Sequence, residues 1–398
     1  MKILMLTPYL PYPLHSGGQI RSYNLLKNLS KKHQITLFSF IRSDEEKKQI
    51  KHLQKYCAKV AVFKRRRPWD PRNVLLAAFT PYPFLVAIYL SKTVRQAIAQ
   101  ELEKGKYDLI HAETFYVMPN LPKLTQIPTL LVEQTIEYLV YQRFVTDFKF
   151  WPLKPLLYFD VFKIKLWEKY FWREAASLAA MSDADKQMMQ RQTNRSKVEV
   201  VANGVDIGFF AKVKKTIKSL EVPVVLFVGN FKWLPNRDAA SFLTLKIWPL
   251  ILKKIPRAKL WIVGRNPTRE INNLANNRQV TVNGNVSDIR TAFSQAQVLL
   301  APIRNGRGTK YKVLEAMASN TPVVTTRLGI EGIEALDKKA VLLAESPQGL
   351  AEKTTAILTD KNLSHRLAVN AKKLVVNKYS WEAISQKLDT IYQRLGGA

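Results

Sequence analysis

The chain has 398 residues, 47% of them apolar and 23% charged, a balance that excludes a disordered chain and builds more core than one domain holds. A single cysteine, Cys57, excludes a disulfide framework and a cysteine-held metal cluster, and fits a reducing compartment. Sixty-two Lys and Arg against 31 Asp and Glu leave a net charge of +31, which implies a polyanionic partner: nucleic acid, an anionic membrane face or a phosphorylated substrate.

The opening MKILMLTPYL reads as a buried strand rather than a leader, because prolines follow it where a cleavage site would need small residues. Apolar runs predict strands at Lys2–Thr7, Ile35–Ile41, Lys59–Phe63, Asp108–His111, Thr129–Glu133, Leu178–Met181 and Val198–Val201, with helices between several of them. The longest apolar stretch, Val74 to Leu90, is interrupted by Pro81 and Pro83 and is too short to span a bilayer. A second series follows at Pro223–Val228, Lys259–Val263, Val280–Val282, Val298–Ala301, Pro322–Thr325 and Ala340–Leu343, with a helical segment at Arg237–Lys253. Strands apolar on both faces predict parallel sheets covered by helices. The expected class is α/β: two Rossmann-like, doubly wound parallel-sheet domains facing a central cleft at their strand ends. Lysine-rich Asp206–Glu221 is the expected linker, so residues 1–205 form the first domain and 206–378 the second.

The strand ends carry the glycines: Gly17 and Gly18, Gly204, Gly229, Gly264, Gly284, Gly306 and Gly308, Gly329 and Gly332. Such positions suit a backbone-lined cleft as well as ordinary turns. In Ala301–Thr326 a strand leads into a loop with Arg304, Gly306, Arg307 and Gly308, and Thr309 caps an expected helix from Lys310 to Ser319. Loop amides, the helix dipole and basic side chains together make an anion site. Lys312 and Glu315 share one face of that helix and form either part of the site or a surface ion pair. Asp183-Ala184-Asp185 mimics a metal-binding spacing, but it opens a helix after Met181-Ser182, so capping accounts for it. The histidines show no paired metal-ligand spacing, and no metal is expected. From Tyr138 to Arg173, rings such as Phe148, Phe150, Trp151, Trp167 and Trp172 alternate with Arg143, Lys149, Lys154, Lys163, Lys165 and Lys169. That pattern fits a headgroup interface or a core-packing helix pair with a solvated basic face. Arg65, Arg66, Arg67 and Trp69 offer a second contact.

GRGTKYKVLEAMASNTPVVTT followed by LGIEGIEA resembles the nucleotide-sugar segment of retaining GT-B glycosyltransferases, the group 1 or family four enzymes. The opening MKILMLTPYLPYPLHSGGQIRSYNLLKNLSKKHQITLFSF is similar to their first strand, glycine loop and helix. YDLIHAE, VVANGVDIGFF, VLFVGNFKWLPNRDAA, LWIVGRNP, VNGNVSDIRTAFSQAQVLLAP and YSWEAI continue the likeness in order over nearly the whole chain. The resemblance implies retaining transfer of a hexose-type sugar from a nucleoside diphosphate sugar to a glycan or lipid-linked acceptor, in cell-surface polysaccharide or glycolipid synthesis, with no cofactor and no metal. A helix over 379–398 is expected to pack back toward the first domain. Glu315 matches the second glutamate of the family's E-x7-E motif, which holds the ribose, while Arg307 stands where the first belongs. Gly306, Gly308, Thr309 and Lys312 fit a Gly-x-Gly-Thr subgroup. Many members clamp the diphosphate with Arg directly after a glycine and Lys several residues later; here Asn230, Phe231 and Lys232 follow Gly229, leaving Lys232, Arg304, Arg307 and Lys312 as candidate cations. Lys232 reads equally as a solvated charge. Gly17 and Gly18 match the loop bordering acceptor and diphosphate, and His111, at its strand's end, matches a histidine facing the reacting sugar. Glu113 and Glu137 are weaker acceptor-side candidates. The charge, aromatic stretch and missing spanning helix place the enzyme in the cytoplasm, peripheral on the inner face of the plasma membrane. Three rivals fit less well. A basic nucleic-acid-binding protein would gather its positives on one module, whereas here they are spread through the chain, so no nucleic acid is expected. The others are a sugar-nucleotide epimerase on the same fold, which would need acid/base groups around the anomeric carbon, and a catalytically silent scaffold.

Overall fold

Uninterrupted apolar runs cannot alternate between core and solvent, so they pair with strands of the same kind and take helices on both faces. The computed structural model describes residues 1–122, 126–193, 198–213, 222–306 and 310–397. β1 (Lys2–Thr7), β2 (Gln34–Ile41), β3 (Lys59–Lys64), β4 (Leu109–Glu113), β5 (Thr129–Glu133), β6 (Ser177–Ala180) and β7 (Val198–Val200) form one parallel sheet in the order β3-β2-β1-β4-β5-β6-β7. β8 (Val224–Val228), β9 (Lys259–Val263), β10 (Val280–Asn283), β11 (Val298–Ala301), β12 (Val323–Thr325) and β13 (Leu342–Leu343) form a second, in the order β10-β9-β8-β11-β12-β13. LIHAE of β4, TLLVE of β5 and VLLA of β11 are buried at every residue. Every strand expected from the sequence is present. β4 runs to Glu113 rather than ending at His111, which puts His111 in mid-strand, in register between Met5 and Leu130.

The chain divides into two units, Met1–Val201 with Ser385–Ala398, and Ala202–Ile384. The first division precedes the expected 205/206 because Val205 bridges Ser380, its N–H bonds the Tyr379 carbonyl at 2.8 Å, and Gly204 packs against the Trp381 ring. These contacts also keep the start of the terminal helix, Trp381–Gly396, with the second unit, so residues join the first only from Ser385. There Asp389 accepts from Lys32 Nζ at 2.6 Å and meets His33 Nε2 at 2.8 Å, while Arg394 pairs with Glu199 at 3.0 Å. Of the expected linker, Ile207–Phe210 is helical and residues 214–221 lie outside the described residues. The Arg237–Lys253 helix becomes Leu234–Phe242 and Trp248–Lys254 joined by a π turn, Leu243–Ile247. Pro249 has no N–H to offer the preceding turn, which suits a widened ladder just ahead of it.

The aromatic-basic stretch folds mainly as helices Glu137–Asp147 and Lys154–Glu174. The longer helix has a core face and an exposed face on opposite sides. Val161, Ile164, Phe171 and Trp172 are core, whereas Leu156, Phe159, Phe162, Leu166 and Tyr170 are exposed. Among the described residues no helix is long and apolar enough to cross a membrane.

Candidate functional site

In the first sheet β1 lies between β2 and β4, and in the second β8 lies between β9 and β11. The order of strands reverses at these points, and doubly wound sheets take their ligands at the carboxyl ends beside such a reversal. Each unit carries a cluster of polar side chains there.

In the first unit, Ser16 caps the Gly17–Leu29 helix through the Gln19 N–H. Gly18 is required by close approach: a Cβ would collide with the Tyr9 hydroxyl and come within 2.6 Å of Gln134 Oε1. Gln134 Nε2 donates to Tyr9 Oη at 2.5 Å and to Glu113 Oε2 at 2.7 Å. Arg21, only 1% exposed, brings Nε to 3.7 Å from Glu113 Oε1. Burial alone would raise the Glu113 carboxyl, but the His111 hydrogen bond, the Arg21 and His111 charges and the Gln134 amide bring it below the usual glutamate value. His111 is fully buried: Nδ1 meets the Tyr392 hydroxyl and Nε2 lies 3.1 Å from Glu113 Oε1. Both ring nitrogens are engaged within the first unit, and β4 continues two residues past His111, so the residue expected at the strand's end lies inside the strand, against Glu113.

Sequence reasoning missed Glu133 and Glu168. Trp172 Nε1 donates to Glu133 Oε1 at 2.9 Å, and Glu168 takes the Glu137 and Tyr138 N–H groups at 2.8 and 3.2 Å. Burial, reinforced by the Glu137 charge, pushes Glu133 up to about 8, and burial pushes Glu137 up to about 7. Glu168 is also raised, by burial and then by Glu133. Glu133 and Glu168 are therefore held largely protonated near neutrality and Glu137 about half so, and no local signal in the sequence distinguishes Glu133 and Glu168 from surface glutamates. Asp185, by contrast, joins Ser182 in a reciprocal capping pair, its N–H at 3.1 Å and its carboxylate at 2.7 Å from Ser182 Oγ.

In the second unit, the turn after β8 is fixed by Gly229 N–H to Val263 O and Phe231 N–H to Arg265 O, both 2.9 Å. A Cβ on Gly229 would lie 3.1 Å from Asn236, at the start of the Leu234–Phe242 helix. Gly306, at φ +97°, lies beside Pro235 of the same helix. The Tyr311–Ala318 helix buries Lys312, whose Nζ donates to Asn236 Oδ1 at 2.6 Å and stands 4.5 Å above the Phe227 ring. Thus Gly229, Gly306 and Lys312 converge on one helix start. Burial, then Lys310, lowers Lys312 to about 7 against the pull of Glu315, while burial raises Glu315 to about 7. The pair is therefore not a surface ion pair. It sits near the threshold between a charged and a neutral couple, a state that a bound anion or hydroxyl can tip.

The other candidate cations fare differently. Arg304 is spent on Asp238, with contacts of 2.6 and 3.2 Å, and stacks over Phe242 at 3.9 Å. Lys232 stands in solvent, its backbone N–H bound to Asn230 Oδ1 at 3.1 Å. Arg307, Gly308 and Thr309 lie outside the described residues, and the described helix has Lys310 in its capping position. Asn236, Asn230 and Asp238 were not singled out from sequence because amides and carboxylates beside a proline-started helix look like ordinary first-turn residues.

Two doubly wound parallel units with these switch-point clusters constitute the GT-B glycosyltransferase fold. Sucrose-phosphate synthase from Thermosynechococcus elongatus is similar with a TM-score of 0.73, covering 100% of this chain and 99% of that one at 18% identity. Anabaena HepE in complex with UDP-glucose gives 0.66, covering 99% and 100% at 16% identity. Residues 222–360 match the model of glycosyl transferases group 1, and residues 15–209 that of glycosyltransferase family 4. The chain belongs to the group 1 glycosyltransferases of family four. Phosphatidyl-myo-inositol mannosyltransferase from Mycolicibacterium smegmatis is 25% identical over 326 residues, 80% of this chain and 79% of that protein.

Proposed function

We propose that this glycosyltransferase moves a hexose-type sugar from a nucleoside diphosphate sugar to a glycan or lipid-linked acceptor, with retention of configuration and without a bound metal, in cell-surface polysaccharide or glycolipid synthesis. One observation carries the reading: a buried lysine and a glutamate one helical turn apart, at the carboxyl edge beside the β8/β11 reversal. The diphosphate takes the Lys312 ammonium beside Gly229 and Gly306, and the two oxygens of Glu315 take the ribose hydroxyls. Lys312 supplies the positive charge that a metal would otherwise bring to the leaving diphosphate. Retention follows the family resemblance, with attack on the face that the diphosphate leaves and assistance from its oxygens. The UDP-glucose bound to HepE and the phosphatidylinositol in the mycobacterial relative's name support a nucleotide-sugar donor and a lipid-linked acceptor.

Titration calorimetry with UDP, GDP and ADP tests the donor site. At least one should bind, and Glu315→Ala should weaken it by about 1.5–3 kcal/mol, the range for hydrogen bonds to a charged group. Unchanged affinity in a folded variant removes Glu315 from the site.

In this reading the first unit docks reversibly on an anionic membrane, from the cytoplasmic side. Lys163 Nζ bonds the Thr80 carbonyl at 2.7 Å and Trp167 Nε1 the Pro81 carbonyl at 2.8 Å, which pins the end of the Pro71–Phe79 helix beside Lys154–Glu174. Trp69, Phe79 and Trp151 are 88, 82 and 76% exposed, and Phe159 and Phe162 stand out of the same region with Lys165, Lys169 and Arg173 nearby in sequence. Half-immersed rings and cations suit an anionic headgroup layer. Each cation near the surface contributes about 1 kcal/mol, screened over roughly 8 Å at physiological ionic strength. Co-sedimentation with phosphatidylserine-containing vesicles should be strong at low salt and lost at high salt, and weak throughout with phosphatidylcholine alone. Equal recovery with both compositions contradicts docking by charge.

A further inference from the structure

We infer that Asn236 is a positioning residue for Lys312, a neutral acceptor that holds the ammonium at the edge of β8 without cancelling its charge. The inference rests on the donor-binding role proposed for Lys312. A lysine side chain has four rotatable bonds, and a buried ammonium requires acceptors. Asn236 Oδ1 provides one at 2.6 Å, with the Phe227 ring 4.5 Å from the ammonium.

The orientation of the Asn236 amide is determined in turn. Its Nδ2 donates to the Asn230 carbonyl at 2.9 Å, which directs Oδ1 toward the lysine. Asn230 is held through its own Oδ1, which accepts from Asn266 Nδ2 and the Lys232 N–H, both at 3.1 Å. Asn266 reaches it from a left-handed turn, φ 55°, a conformation asparagine tolerates better than most residues. Gly229 completes the arrangement, since any side chain there would press on Asn236.

An amide suits this position better than a carboxylate would. Aspartate would hold Lys312 protonated but offset its charge and repel the donor's phosphates, whereas asparagine adds no opposing charge. Among the described residues, the charged groups acting directly on Lys312 are Lys310 and Glu315. Asp238 and Arg304, on the neighbouring helix and loop, are paired with each other.

Two variants and two measurements test this. In ligand-free protein labelled with ¹³Cε-lysine, the Lys312 signal is assigned by its loss in Lys312→Arg and followed through a pH titration. Asn236→Asp should raise the titration midpoint by about one pH unit or more, and Asn236→Ala should lower it. UDP, GDP or ADP affinity near neutral pH should follow the opposite logic: about tenfold weaker in Asn236→Ala and weaker still in Asn236→Asp. A purely structural asparagine would lose its bond to the Asn230 carbonyl alike in both variants and leave the midpoint no higher in Asn236→Asp than in Asn236→Ala, and that result overturns the inference. Midpoints unchanged in both variants also overturn it, even if nucleotide binds. Shifted midpoints with no nucleotide bound to wild type uphold the coupling and refute the donor-site reading instead. Should Asn236→Ala fail to fold, Gly229→Ala, which presses the asparagine aside, should lower the midpoint in the same direction.

Discussion

Replacing Lys312 with methionine should cut turnover by about 10²–10³, the loss seen when one preorganised donor is withdrawn from a developing negative charge, while leaving the ligand-free protein at least as heat-stable as wild type. The two halves of this expectation have one cause. Burial holds the Lys312 ammonium down to about 7 from its ordinary 10.5. A base depressed in the folded state has its full stabilising influence only above its unfolded value, and this is lost as pH falls through the folded one. Near pH 7 the buried ammonium therefore works against the fold, and an apolar side chain of similar length relieves that cost. Glu315 runs the other way: raised to about 7, it favours the fold below its ordinary 4.5 and loses that contribution as pH rises toward 7. Binding a diphosphate restores the charge of Lys312, so nucleotide affinity should decline as pH climbs from 6 to 9 in the wild type and lose that slope in Lys312→Met. Turnover should also survive exhaustive chelation. Wild-type turnover in Lys312→Met, assayed with whichever nucleotide sugar supports the native enzyme, removes the lysine from the chemistry.

Gly264→Ala should be the most damaging single methyl in the second unit, lowering stability by about 3 kcal/mol or more. Gly264 takes φ +157°, and a Cβ there would fall onto the carbonyl of Gly229. Backbone cannot swing aside as a side-chain tip can, so β8 and β9 must part at their carboxyl ends, where the Gly229 turn supports Asn236 and thereby Lys312. The variant should show a markedly lower melting temperature, and nucleotide should recover little of the loss. Gly208→Ala is the control: its nearest neighbour would be Asp206 Oδ1 at 3.5 Å, an ordinary contact, and its melting temperature should stay close to wild type. Equal melting temperatures for the two variants contradict the close-approach argument.

Much of the architecture is written locally. An unbroken apolar run such as LIHAE or VLLA has no polar face to turn to water, so burial on both sides, parallel pairing and helical cover follow from the run itself. The ordered motifs, from SGGQIR to YSWEAI, identify the family for the same reason: each is a strand end or helix start whose residues suffice to recognise it. Lys312 and Glu315 were legible too, because helical spacing alone puts them on one face. The burial of Lys312 was not. It depends on the Tyr311–Ala318 helix meeting the turn after β8, 76 residues away in the case of Asn236. Likewise, a two-residue extension of β4, decided by pairing with β1 and β5, carried His111 into the interior. Glu133 and Glu168 look like surface carboxylates in sequence, and only the packing of the Lys154–Glu174 helix near β5 takes them out of water. Arg304 offered a cation on paper and is paired with Asp238 in space. Pattern and propensity act over a few residues and so determined the elements and the family. Which polar groups are buried, paired or left charged depends on strand order and helix docking across long separations, and the tertiary structure alone decided that.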